Sequence, residues 1–101
     1  MSYSLIIPIF NEEKSLLSLL KELNRLNDDY QIIIVNDGSN DKTKNILEQI
    51  NQFDIVHIDN NTGKGNAIKA GLDKVEKENI ILFDGDLEIS VDNIELVVKE
   101  F

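Results

Sequence analysis

Apolar residues gather in four short runs along the chain, at residues 3–10, 31–35, 54–58 and 79–83. Each is rich in isoleucine and valine, as buried parallel strands are. Between them the apolar spacing lengthens to that of helices. Leu16, Leu17, Leu20 and Leu23, followed by Leu26, make the first stripe. Ile46, Leu47 and Ile50 make the second, and Ala67, Ile68, Gly71, Leu72 and Val75 the third. Residues 91–101 predict a fourth helix, with Ile94, Val97, Val98 and Phe101 on one face and Ser90 as its N-cap. Strands separated by helices imply βαβ units with right-handed crossovers. The fold class read from this pattern is α/β, a parallel sheet of four βα units with a Rossmann-like character. Residues 1–101 make a single domain.

Ligands of such sheets bind beyond the carboxyl ends of the strands, and the polar residues collect there. Asn11-Glu12-Glu13 follows the first strand and Asn36-Asp37-Gly38-Ser39 the second. Asp59-Asn60-Asn61-Thr62-Gly63 follows the third, and Asp84-Gly85-Asp86 the fourth. Four acidic or amide-rich clusters therefore meet along one edge, which is the candidate site.

Composition narrows what that edge can bind. Ten Lys and Arg against 19 Asp and Glu give a net charge of −9. That is the wrong sign for a nucleic-acid partner. A phosphorylated ligand would have to be held locally, by backbone amides, a few lysines or a cation. The chain has no cysteine, which excludes disulfides, a thiol nucleophile and cysteine metal sites. No signal peptide is visible, and no apolar run reaches the roughly 18 residues of a membrane span. The expectation is a cytoplasmic domain with no transmembrane segment.

Asp84 and Asp86 sit two apart at a strand exit, so an extended backbone puts both carboxylates on one side. Two like charges so close repel unless a cation lies between them. Carboxylates are the ligands that Mg²⁺ and Mn²⁺ take, often together with substrate phosphates. The plainer reading is a pair of solvated turn residues. Asp37-Gly38-Ser39 reads equally as a turn with a helix cap or as a carboxylate set to accept a hydrogen bond from a base or sugar. Asn61-Thr62-Gly63-Lys64-Gly65-Asn66 is neither a Walker loop nor a dinucleotide fingerprint. It is an amide-rich helix start with a lysine, able to face an anion, or simply a solvated helix entry. His57 lies within the third strand without a partner pattern and reads as structural.

Together these segments resemble the nucleotide-binding half of a family-2 glycosyltransferase of the GT-A fold. The matching residues are Ile7-Pro8-Ile9-Phe10-Asn11-Glu12 and Val35-Asn36-Asp37-Gly38-Ser39-Asn40-Asp41-Lys42-Thr43. They continue with Asn61 to Ala67, Ala70-Gly71 and Asp84-Gly85-Asp86. All occur in the family's order across nearly the whole chain, and the segment from Gly63 to Gly65 is similar to that of the dolichyl- or polyprenyl-phosphate sugar synthases. The resemblance implies an inverting, metal-dependent transferase that takes a UDP- or GDP-sugar as donor. Pro8, Asn11 and Glu12 would line the nucleotide pocket, Asp37 would contact the base, and Gly63, Lys64 and Gly65 would border base and ribose. Asp84 would lie near ribose and metal, and Asp86 would ligate a Mg²⁺ or Mn²⁺ that bridges the diphosphate. Many relatives carry Asp-Asp where this chain has Asn36-Asp37, and alanine is frequent where it has Gly85.

The family places its acceptor site and catalytic base beyond the Asp-X-Asp motif, and the chain ends at Phe101. The expectation is therefore a donor half, either a fragment or truncation of a full enzyme or a naturally shortened relative, with no catalytic base assigned, and an uncovered sheet edge that favours a homo-oligomer. Two other readings stand beside it. One is a receiver-like signalling domain with an acidic Mg²⁺ pocket, its phospho-acceptor at the third strand exit. The other is a non-catalytic nucleotide-binding remnant.

Overall fold

The computed structural model describes residues 2–26 and 28–83, with the backbone alone at Lys64. Asp84, Asp86, Ser90 and the helix expected over 91–101 lie outside the described residues. Four strands, β1 (Tyr3–Ile9), β2 (Tyr30–Asp37), β3 (Asp54–Ile58) and β4 (Asn79–Leu82), pair as one parallel sheet. Their order is β3-β2-β1-β4. The helices between them are α1 (Leu16–Leu23), α2 (Thr43–Glu48) and α3 (Lys64–Leu72).

The order follows from the crossovers. From β1 through β2 to β3 the chain steps one way, and right-handed connections put α1 and α2 on the same face. From β3 it turns back past β1 to β4, which sends α3 to the other face. Both halves of the core reflect this. On one side Leu5, Ile7, Ile9, Ile32 and Ile34 meet the leucines of α1 and Leu47 of α2. On the other, Ile6, Ile33 and Val35 meet Ala67 of α3. Gly71 lets α3 lie close, since a Cβ there would come within 2.6 Å of Ile6.

Two expectations change. The buried stripe of α1 is Leu16, Leu19, Leu20 and Leu23, while Leu17 is 67% exposed. Residues at i, i+3, i+4 and i+7 share a face, and the sheet selects the stripe that includes Leu19. The receiver-like reading also falls. That fold places its third strand next to its first, in the order 2-1-3-4-5, whereas here β3 sits at the edge and β4 flanks β1.

The amino-terminal edge of the sheet is closed by Gln31. Its Oε1 accepts from Ser4 Oγ at 2.6 Å and Glu76 N–H at 2.9 Å, and its Nε2 donates to Asp54 Oδ2 at 2.7 Å and the Lys74 carbonyl at 2.8 Å. These bonds tie three strands to the turn before β4. The carboxyl edge is where the polar exits collect.

Candidate functional site

Among the described residues the β1–β4 ladder runs to the carboxyl end of β4. Phe83 N–H donates to the Ile6 carbonyl at 2.9 Å, and Ile6 opposite Leu82 is the last register pair. The next β1 residue facing that side is Pro8, which has no N–H to continue the ladder. Among the described residues β1 pairs with β4 as far as Ile6 and with β2 as far as Ile9. This is the point where the strand order reverses, the crevice in which open α/β sheets hold their ligands.

Asp37, the last residue of β2, lies on the α3 face with Ile33 and Val35 by strand alternation. It is 4% exposed. Its Oδ1 accepts from Thr62 N–H at 3.0 Å and Thr62 Oγ1 at 2.9 Å, and its Oδ2 from Gly63 N–H at 3.0 Å. Three of the roughly four acceptor positions of a carboxylate are thus used within the chain. Asp37 fastens the loop that enters α3. Gly38, at φ +71°, lets that loop pass, for a Cβ there would stand 2.2 Å from the Asn61 nitrogen.

α3 starts at Gly63 (φ 94°) with no side chain capping it. The first amides of a helix have no partner within it and carry the positive end of its dipole. Gly65, in that first turn, has open space where its Cβ would be. A glycine in a helix costs about 1 kcal/mol relative to alanine, and among the described residues no atom crowds this position.

The β1 exit is built differently. Asn11 adopts φ 52°. Its N–H donates to Ser39 Oγ at 2.9 Å, Glu12 N–H to Thr43 Oγ1 at 3.0 Å, and Asn40 N–H to Asn11 Oδ1 at 2.9 Å. Glu12 Oε2 accepts from Ser15 Oγ at 2.8 Å. Asp41 receives Thr43 N–H at 2.9 Å. Burial pushes the Asp41 carboxyl up, but the hydrogen bonds from Thr43 and from the Glu13 amide outweigh it and hold it below the usual carboxylate range. Asn36, 1% exposed, accepts from Ser39 N–H at 3.2 Å, and its Nδ2 donates to His57 Nδ1 at 3.1 Å across the β2–β3 pair. His57 is thereby a structural partner, as its position implied.

Of the residues singled out in the sequence, the structure joins Asn11 and Glu12 to the loop after β2, and Asp37 to Gly63. The Lys64 side chain, Asp84 and Asp86 are outside the described residues, and among those described no cluster of acidic or histidine side chains is set to hold a metal. Thr62, Ser39, Asp41 and Thr43 were not given roles by sequence reasoning. The signal for the last three was an oxygen-bearing side chain at every second position after a strand exit.

A parallel sheet that reverses at β1, with helices on both faces, defines an open α/β domain. The chain belongs to glycosyl transferase family 2, whose profile matches residues 4–101. A dolichyl-phosphate β-glucosyltransferase of Trichomonas vaginalis is 38% identical over 110 residues, covering 96% of this chain and 34% of that protein. An undecaprenyl-phosphate 4-deoxy-4-formamido-L-arabinose transferase of Photorhabdus laumondii is 37% identical over 105 residues, covering 95% and 32%. The chain thus spans about a third of the length of these relatives. The fold matches S. aureus TarS 1–349 solved with UDP at a TM-score of 0.79 and 24% identity, covering 98% of this chain and 31% of that one. It also matches the mannosyltransferase PcManGT of Pyrobaculum calidifontis, solved with GDP-Man and Mn²⁺. There the TM-score is 0.77 at 20% identity, over 96% of this chain and 31% of that one. No helix among the described residues is long and apolar enough to cross a membrane.

Proposed function

We propose that this chain is the donor-binding half of an inverting glycosyltransferase that moves a sugar from a nucleotide diphosphate to an acceptor such as a polyprenyl phosphate or a saccharide. The observation that carries the proposal is the reversal of strand order between β1 and β4, beside an uncapped α3 whose approach loop is fastened by Asp37. Pro8, Asn11 and Glu12 would form one wall of the pocket. Asp37, Gly63, Lys64 and Gly65 would form the other, with Asp37 acting on the base side largely through the loop it holds. The polyprenyl-phosphate acceptor is suggested by the names of the two relatives, and the nucleotide by the ligands of the two solved structures.

Asp84 and Asp86 directly follow the strand end that Phe83 pins to Ile6, and a pair of carboxylates is the donor set that Mg²⁺ or Mn²⁺ favours. They would hold that cation, with Asp84 also near the ribose. Its contribution there is to offset the charge of a departing nucleoside diphosphate. The described residues would serve the donor side.

Calorimetric titration of UDP and GDP, with Mn²⁺ and with a chelator, tests this reading. Binding should be tighter with metal, and Asp86→Ala should remove the difference, weakening the diphosphate by about ten- to a hundredfold. Equal affinity with and without metal, unchanged in Asp86→Ala, would sink the metal role. No binding of either nucleotide would sink the donor site.

A further inference from the structure

Three consecutive backbone amides at the exit of β1, those of Asn11, Glu12 and Glu13, all end on side-chain oxygens from one stretch after β2. The partners are Ser39 Oγ at 2.9 Å, Thr43 Oγ1 at 3.0 Å and, at a longer 3.5 Å, Asp41 Oδ2. The exchange runs both ways, because Asn40 N–H donates to Asn11 Oδ1. Asn11 adopts φ 52°, in the left-handed region that asparagine enters more readily than most residues with a side chain. Successive N–H groups around such a residue make a concavity suited to an anion. Here the protein's own oxygens, one of them a carboxylate, fill that concavity. Amides so engaged are not available to a phosphate, in contrast with the uncapped start of α3.

We infer that Ser39, Asp41 and Thr43 are positioning residues that hold Asn11 and Glu12 in the single backbone arrangement that faces the nucleotide, an inference that rests on the donor-site reading above. Their own placement is fixed. Thr43 is fully buried in the first turn of α2, so packing sets its hydroxyl. Asp41 Oδ1 is taken by Thr43 N–H, which leaves Oδ2 for Glu13. Ser39 N–H is taken by the buried Asn36. Without the clip, the amides of residues 11–13 lose their partners and the β1 exit relaxes, although the strands and the core remain.

Two substitutions at one position separate positioning from plain stabilisation. Thr43→Val keeps the shape but removes the oxygen that receives Glu12 N–H. Thr43→Ser keeps the oxygen but removes a buried methyl group. With Mn²⁺ present, Thr43→Val should weaken UDP or GDP binding by about three- to tenfold. Thr43→Ser should bind within about twofold of the parent despite a lower melting temperature. Affinity that tracks melting temperature across the two variants, or parental affinity in Thr43→Val, would overturn the inference. Amide hydrogen exchange without nucleotide reads the clip directly. The Glu12 amide should be protected in the parent and in Thr43→Ser, and exposed in Thr43→Val, with the change confined to residues 11–13. If the parent binds neither nucleotide, the donor-site reading fails on its own account and exchange still decides the clip. Unchanged Glu12 protection in Thr43→Val would refute it.

Discussion

Gly38 and Gly65 show how two identical residues at one site answer to opposite demands. A side chain at Gly38 would need both a left-handed backbone and the space held by Asn60 and Asn61. Gly38→Ala should therefore lower stability by more than about 2 kcal/mol in denaturant titration, and loosen the approach to α3. Gly65 has neither constraint. Gly65→Ala should raise stability by about 0.5–1 kcal/mol through helix propensity alone, while weakening UDP or GDP because a methyl group would stand where the proposed ligand comes close. Tighter nucleotide binding in Gly65→Ala would mean that the ligand does not approach α3. The sequence made both glycines visible as punctuation after strands. It did not show which one serves the fold, because the atoms that crowd Gly38 come from the loop after β3. Asp37 has the same history: its position at the strand exit was legible, and its engagement with Thr62 and Gly63 was not.

Elements were legible to different degrees, for reasons that lie in their composition. The strands stood out because short runs of isoleucine and valine have few other uses, and β2 starts one residue earlier, at Tyr30, and extends two further, through Asn36 and Asp37. The phase of α1 was ambiguous. Its segment LLSLLKEL holds so many leucines that two stripes fit helical spacing, and only the sheet beneath it chooses. The choice is measurable. Leu16→Ala, at a fully buried site, should cost about 2–5 kcal/mol, whereas Leu17→Ala should stay within about 0.5 kcal/mol of the parent. Similar losses at both positions in thermal or chemical unfolding would mean that α1 packs in the other phase.

For the whole molecule, the pattern of four βα units fixes a parallel sheet but leaves the strand order open, since local spacing carries no information about which strand lies beside which. The order found here sets residue 3 beside residue 79. That pairing closes the longest loop in the described chain, and long closures are the slow, entropically costly part of assembling a domain. β4 joins through four register pairs, and of its residues only Ile81 is buried. Its docking therefore carries the largest closure cost of the described strands, and it leads straight into Asp84 in the sequence. The acidic pair would come to the crevice only in molecules whose final strand has docked. Occupancy of the site would then act as a latch on the chain's most distant contact. Saturating nucleotide with Mn²⁺ should slow amide exchange in β4 by a larger factor than in β2, whose place in the sheet is secured before the ligand arrives.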